Sequence, residues 1–464
     1  MRSDAIVESI VALSEQIAWP RLSPAVQTAT RRELLDILGD MVAGHALLGM
    51  PSWLDAAALW SGRGDCSAVD GTHRAPAAAA LINGYFTHAL ELDDTHDDAV
   101  LHAGAAVVPA ALAAADIRGG VDGKRLLEAM ILGIEVSCRL GIATDLNLVE
   151  GGWIYSALLG HFGAAAAAAR ILSDNPDVLR SALGAAYTLT SGNHQSTREG
   201  AETKPLQPAI AASNGLLAAL MAANGLTGVA HPFLGEDGLR RVYLHGKLDP
   251  RKFSASLGAA PEIARLSFKP YPSCRLTHPA ITAALALHRE MGEALDDRTE
   301  IELRVNPQAL DVVGKTHAAR MRPEKRLDAQ FSIYWCVAVA LAYGEVLPGH
   351  LVREVPPSPA VASWIRRIRC AVIEDSSARD IGGCVLTATG PFGMRALTIE
   401  NAKGHPDNPV SDAELRHKFA HNAGLAGISQ ERAAGLADRV WAVDEAADAS
   451  TLLRQLVAAR GPAA

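Results

Sequence analysis

Apolar residues recur at helical spacing through the first half of the chain, from about residue 5 to residue 225. The pattern predicts helices over Ala25–Val42, Ala75–Leu90, Ala103–Ile117, Gly123–Thr144, Ala157–Leu172, Pro176–Leu189 and Leu206–Ala223. Ser23-Pro24 supply an N-cap and a proline at the first helical position. Glycine and asparagine punctuate the pattern, as at Arg118-Gly119-Gly120 and Asn224-Gly225. Several of these segments are alanine-rich and apolar nearly all round. A helix of that kind has other helices on every side, so a multilayer bundle is expected.

The pattern then changes. Pro270, Pro272, Pro279 and Pro307 break the chain into shorter pieces, and Ile301-Glu302-Leu303-Arg304-Val305 alternates apolar and charged residues as a half-buried strand does. Ile368–Ile373, Cys384–Ala388 and Arg395–Ile399 read as further strands, with Thr277–Glu290 and Leu327–Tyr343 as helices between them. Helix returns over Ser411–Asn422, Ser429–Val440 and Glu445–Ala459. The expected fold is mainly α, a large all-helical domain built from both termini (1–266 and 401–464) with a smaller α+β domain inserted at 267–400.

Composition narrows the function classes. The 464 residues are 49% hydrophobic, enough for a large core. Lys+Arg 43 against Asp+Glu 51 leaves a net charge of -8 with no basic block, so a nucleic-acid partner is not expected. Met1–Pro20 is interrupted by Arg2, Asp4, Glu8 and Glu15, unlike a signal peptide, and Ala103–Ala115 is too short to span a bilayer. Six scattered cysteines without a Cys-x-x-Cys pair fit reduced thiols in a cytoplasmic protein and argue against a zinc or iron–sulfur site. No membrane association is expected.

One stretch stands apart. Glu91, Asp93, Asp94, His96, Asp97, Asp98 and His102 crowd between two alanine-rich helices, where a dense acidic and imidazole cluster carries a desolvation cost that packing alone does not select. It reads either as a proton-transfer site, with an aspartate orienting a histidine, or as a helix end meeting a polar loop. No ligand spacing typical of a metal site is present. His102-Ala103-Gly104 opens the next helix, whose positive end favours a neutral imidazole suited to act as a base; the alternative is a polar cap residue. Lys204 precedes a helix-starting proline, either as a carboxylate binder or as a solvated loop lysine. Lys269-Pro-Tyr-Pro-Ser-Cys-Arg275-Leu-Thr-His278-Pro packs cations into one stiff loop where the fold changes type, a candidate carboxylate site or an interdomain linker. Tyr155 is either a cleft proton donor or a buried helix-start residue; Ser191-Gly192-Asn193-His194 is a polar loop without an assigned role. There is no Gly-x-Ser-x-Gly elbow, dinucleotide fingerprint or Walker pattern.

Taken in order, Asn83-Gly84-Tyr-Phe-Thr-His88-Ala-Leu-Glu-Leu-Asp93-Asp94-Thr95-His96, His102, Thr203-Lys204-Pro205-Leu206 and the Lys269–Pro279 loop resemble the MmgE/PrpD family. Phe331-Ser332 and Gly404-His-Pro-Asp-Asn-Pro409 are weaker matches. The family includes 2-methylcitrate dehydratase, cis-aconitate decarboxylase and iminodisuccinate epimerase. The resemblance implies an active site between the two domains, a positive surface for polycarboxylates, a homodimer, and no metal or organic cofactor. Its active-site positions fall on Asp93, His102, Lys204 and Lys269, with Thr95 and His278 further matches. Two departures are visible: His102-Ala103-Gly104 stands where many members have His-Pro-Ser or His-Pro-Gly, and Ile154 stands where members with a Gly-Trp-His motif have a second histidine.

The expectation is therefore a cofactor-free lyase, in the first place of dehydratase type, acting on a small di- or tricarboxylic acid. His102 is the acid or base, Asp93 orients it, Lys204, Lys269 and Arg275 hold carboxylates, and Tyr155 is a candidate second proton donor. An epimerase or isomerase, a decarboxylase, or a non-catalytic polycarboxylate-binding protein are the alternatives.

Overall fold

The computed structural model describes residues 4–146, 151–255, 257, 261–315, 318–353, 355–374 and 382–459. Among the described residues, nine longer helices form the first part of the chain: α1 (Ala5–Gln16), α2 (Pro24–Leu48), α3 (Ser52–Trp60), α4 (Pro76–Ala89), α5 (Gly104–Arg118), α6 (Gly123–Ala143), α7 (Gly160–Leu172), α8 (Pro176–Leu189) and α9 (Thr203–Ala223). Their starts follow local chemistry. Ser23 accepts from the Val26 amide ahead of α2, and Asp122 accepts from the Arg125 amide ahead of α6. The predicted segment Ala157–Leu172 is divided, a short turn at Tyr155–Leu158 preceding α7.

α9 lies at the centre of the bundle, packed against α4, α5, α7 and α8. It is long and apolar enough to cross a membrane, and here four helices of the same chain pack against it. Small residues set the spacing: Ala164–Ala169 of α7 are all buried, and a Cβ on Gly215 of α9 would stand 2.5 Å from that of Ala164. Such close approach explains why the segments are alanine-rich rather than leucine-rich.

α10 (His278–Met291) and α11 (Ile333–Tyr343) accompany a four-stranded sheet of β1 (Glu300–Val305), β2 (Ile368–Val372), β3 (Cys384–Gly390) and β4 (Gly393–Ile399). The order is β2-β1-β3-β4, with β1 parallel to β2 and the other pairs antiparallel. Leu303 faces Cys370 on one side and Leu386 on the other. Ile301, Leu303 and Val305 are buried while Glu300, Glu302 and Arg304 are exposed, as the alternation predicts. α10 covers β3 and β4, and α11 packs on α10. The predicted helix Leu327–Tyr343 is interrupted: Arg326–Gln330 stops at Phe331, and the Ser332 hydroxyl accepts from the Trp335 amide at 3.1 Å to start α11 afresh.

α12 (Asp412–Leu425) and α13 (Gln430–Trp441) return to the helical part, α12 lying along α2. The predicted last helix is reduced to Leu452–Ala458, preceded by single turns at Val443–Glu445 and Ala449–Thr451. Buried apolar side chains fall into two large clusters. One draws on residues from Ile6 to Phe268 and again from Val410 to Leu456; the other runs from Leu276 to Ala388.

Candidate active site

The acidic stretch leaves the end of α4 and reaches the start of α5 by an irregular path. Glu91 and Val100 both adopt left-handed backbone conformations, with φ of 54° and 56°. Such conformations are costly for side chains of this kind and are held only by surrounding contacts. One contact is a pair of backbone hydrogen bonds between Thr95 and Ser267, at 2.9 and 2.6 Å, which ties this stretch to the loop that carries Lys269. Lys204 enters from the first turn of α9.

These segments bring together two carboxylates, two lysines and two histidines. His88 donates from Nδ1 to Asp93 Oδ2 at 2.7 Å, and its Nε2 accepts from Lys204 Nζ at 2.5 Å. Lys204 also donates to Glu91 Oε1 and stands 5.3 Å over the Phe331 ring. Lys269 Nζ lies 3.5 Å from Asp93 Oδ1 and 3.7 Å from Glu91 Oε2, buried and without a hydrogen-bond partner among the described residues. Burial works against the charge on Glu91 and Asp93. It is outweighed for Glu91 first by Lys204 and His88, and for Asp93 first by His88 and His102, so both carboxyls stay below the usual carboxylate range.

The His102 ring lies 4.7 Å from that of His88, centre to centre. Its Nδ1 is 2.7 Å from the Asp94 carbonyl oxygen and 3.5 Å from Asp93 Oδ2. A carbonyl can only accept, so Nδ1 carries the hydrogen and Nε2 is the free base. Burial pushes His102 down to about 3, aided by Lys269, His88 and Lys204 and opposed by Asp93. The imidazole is therefore neutral near pH 7.

Behind this layer the Asp94 carboxylate caps α5, accepting from the Ala103 and Gly104 amides at 3.1 and 3.0 Å. Burial and the neighbouring Asp93 nevertheless push its carboxyl up to about 8. Glu33 of α2 is pressed against the same turn: a Cβ on Gly104 would stand 2.0 Å from Glu33 Oε1 and 2.8 Å from Asp94 Oδ1. Only glycine fits there. Asp36 and Asp40, further along α2, are engaged by Lys418 of α12 at 2.6 and 3.2 Å.

A cavity of about 110 Å³ opens in front of His102. Of the sequence-predicted residues, His102, Thr95, Tyr155, Lys204 and Arg275 line it. Asp93, Lys269 and His278 do not. Asp93 and Lys269 sit behind the wall, fully buried. His278 lies against the Tyr271 ring, 5.1 Å away, with Nε2 3.2 Å from the Ser273 carbonyl. The Tyr155 hydroxyl is committed to the Leu146 carbonyl at 2.5 Å. Arg275 grips Asp97 with two hydrogen bonds, at 3.1 and 2.6 Å. Ile154 contributes an apolar part of the wall.

Three groups at the site had no role in the sequence reading. His88 joins Asp93 to Lys204, yet it reads as one more member of an apolar helix. Cys274 lines the cavity, its thiol pushed up to about 11, chiefly by burial. His194 lines it too, with a buried Nδ1 that has no partner among the described residues. Burial, with Arg198 and Lys204 nearby, takes His194 down to about 4. The His194 amide donates to the Gly152 carbonyl at 2.8 Å, which sets this loop beside the one that carries Ile154. His88, Glu91 and His102 also place possible ligand atoms within 4.8 Å of one another. The Lys204 ammonium already bonds the first two, occupying the position a cation would need.

Comparison with known proteins bears on this arrangement. Residues 8–251 match the MmgE/PrpD N-terminal domain and residues 271–443 the MmgE/PrpD C-terminal domain. A cis-aconitate decarboxylase-like protein of Aspergillus oryzae is 30% identical over 412 residues, covering 84% of each chain. The cis-aconitate decarboxylase of Aspergillus terreus is 27% identical, over 87% of this chain and 88% of its own. That of Mus musculus is 23% identical, over 100% and 95%. With both domain matches covering most of its length and the resembling motifs gathered around one cavity, the chain belongs to the MmgE/PrpD family.

Proposed function

We propose that this protein is a lyase that moves a proton next to a carboxylate of a small polycarboxylic acid. The observation that carries the reading is the pairing of His102 with Lys204 on one cavity wall, the imidazole locked as a base by the Asp94 carbonyl. Lys204 and Arg275 supply the charge to hold carboxylates and to stabilise the negative charge that builds as a bond to carbon breaks. Asp93 positions His102 from behind, and Lys269 balances the buried carboxylates rather than touching the substrate. Thr95 and His194 offer further polar contacts at the wall. No metal or organic cofactor enters any step. Residues 1–266 with 401–464, and 267–400, are proposed as the two domains, in a cytoplasmic homodimer.

Decarboxylation of a cis-aconitate-like acid is supported by the similarity to the cis-aconitate decarboxylases of Aspergillus terreus and Mus musculus. In that reaction the carbon–carboxylate bond breaks, carbon dioxide leaves, and the electron pair passes into the conjugated acid. A proton is then delivered to carbon. A hydro-lyase is the second reading, favoured by the neutral state of His102, which suits removal of a proton before a hydroxyl leaves. An epimerase shares that first step and returns the proton to the other face.

The test is incubation with cis-aconitate, citrate and 2-methylcitrate in deuterated water. Carbon dioxide release with deuterium in the product supports the decarboxylase. An alkene without carbon dioxide supports the hydro-lyase, and deuterium exchange alone the epimerase. Binding without turnover or exchange identifies a non-catalytic polycarboxylate-binding member. Neither binding nor turnover with any of these acids overturns the proposal.

A further inference from the structure

A second cavity, of about 530 Å³, adjoins the first. Asp97, Val100, Tyr155, Arg275 and Gln308 line both. Neither His102 nor Lys204 reaches the larger one, whose wall instead includes His405. The Arg275–Asp97 pair therefore stands at the junction between an inner chamber that holds the candidate base and an outer chamber that does not. It also joins two separate segments, the 91–98 stretch and the loop that follows Lys269.

We propose that the outer cavity is the route by which a polycarboxylate enters, and that Asp97 is a resident carboxylate occupying the Arg275 fork until a substrate carboxylate displaces it. This rests on the polycarboxylate reading above and names how that substrate is admitted. Three features make the exchange feasible. Arg275 presents its fork to Asp97 through Nε and Nη2, the geometry it would offer any carboxylate. Asp97 has somewhere to go: His405 Nε2 is 3.8 Å from its Oδ2 on the outer side, and the Thr95 hydroxyl donates to its Oδ1 at 3.3 Å. The pair is also not sealed in, the two side chains being 9% and 13% exposed, so the exchange needs no opening of the core. In the exchange no covalent bond changes; one carboxylate replaces another on the guanidinium. Arg275 then binds the end of the substrate remote from His102, and acids lacking a second carboxylate give up that contact.

The experiment uses propane-1,2,3-tricarboxylate, which has no double bond or hydroxyl to react, in calorimetric titration of the full-length protein. Asp97→Asn removes the competing charge, and we expect binding roughly fivefold tighter, the upper range for a partly exposed ion pair. In an Arg275→Gln background the same change should give no gain, because the contested fork is gone. Equal or weaker binding by a folded Asp97→Asn protein overturns the proposal, as does the same gain with and without Arg275. A crystal structure of the wild-type protein with the tricarboxylate supplies an independent reading: Arg275 on the ligand and Asp97 turned toward His405 supports the exchange, and Arg275 still on Asp97 overturns it. Wild-type protein that neither binds nor turns over any polycarboxylate overturns both this inference and the function it rests on. Binding without the Asp97 effect overturns this inference alone.

Discussion

The Asp94 carbonyl accepts the Nδ1 hydrogen of His102 at 2.7 Å, and this one contact decides which nitrogen of the imidazole is free. His102→Gln retains polarity and approximate size and should fold normally. Turnover should fall by roughly the 10²–10⁴ expected for loss of a general acid or base. Steady-state kinetics with the best substrate from the deuterium experiment, alongside a melting curve, check this. Near-normal turnover in the folded variant removes His102 from the mechanism.

The depressed His102 pKa gives a pH profile that separates the two lyase readings. The kcat/KM profile reports groups in the free enzyme, where burial has taken His102 down to about 3. A neutral base is then available across the whole range from pH 5 to 8, so proton abstraction predicts a plateau without the usual midpoint near 6.5. A reaction that needs protonated His102 before substrate binds predicts the opposite, a roughly tenfold loss per pH unit as pH rises, since the protonated fraction falls by that factor. Measured kcat/KM, corrected for the ionisation of the substrate, distinguishes the two slopes.

Lys204 and Lys269 match one family motif each but occupy different places, and the difference is measurable. Lys204 lines the cavity, whereas Lys269 is fully buried behind it. Lys269→Met takes one of the buried cations away from Asp93 and Glu91, and loss of one partner from a buried ion pair costs about 3–5 kcal/mol. Chemical denaturation should show that loss, with little change in tricarboxylate affinity per folded molecule. Lys204→Met should weaken tricarboxylate binding as well, and most at low ionic strength, where the lost attraction is least screened. Equal effects of the two substitutions on binding would place both lysines on the substrate.

How much of this was legible in the sequence depends on range. The strand Ile301–Val305 and the cluster from Glu91 to His102 announce themselves because their signals, alternation and charge density, lie within a few neighbouring residues. His88 does not, because its meaning comes from Lys204, 116 positions away. Ser332 looks like one polar residue in a helix until its hydroxyl caps α11. Arg275 reads as a fork for a substrate carboxylate, but nothing local says that Asp97 already sits in it. Glu33, Asp36 and Asp40 carried a readable signal that was passed over: they recur at helical spacing on an otherwise apolar segment, which places three acids on the inward face.

Glu33 gives a stability prediction with a definite sign. Burial, then Asp94, Asp36, Asp93 and Asp40, push its carboxyl well above the ordinary value of 4.5. The folded chain therefore keeps a proton that the unfolded chain has released, and stability falls as pH rises above that ordinary value. Asp94, pushed up to about 8, acts in the same sense. Glu33→Gln removes one of these ionisations while preserving shape. Melting temperatures between pH 5 and 9 should decline less steeply in the variant, with the variant ahead of the wild type at pH 9. Parallel curves would mean that Glu33 is already ionised in the fold.

The last prediction concerns assembly. Trp60 is 95% exposed, Leu59 72% and Trp53 38%, all on the single helix α3. Scattered apolar residues are ordinary on a protein surface, but two tryptophans and a leucine on one nine-residue helix form a patch that water solvates poorly. Aromatic residues are also the usual anchors of protein interfaces. A two-fold homodimer that buries the α3 faces of both subunits accounts for them, and it leaves each cavity within its own chain. Light scattering at micromolar concentration should give about twice the 48.8 kDa chain mass. Trp60→Asp with Leu59→Glu should shift the protein to the monomer while leaving tricarboxylate affinity within a factor of about two, since α3 contributes nothing to the cavity wall. A dimer that survives both substitutions assigns the interface to another face of the helical bundle.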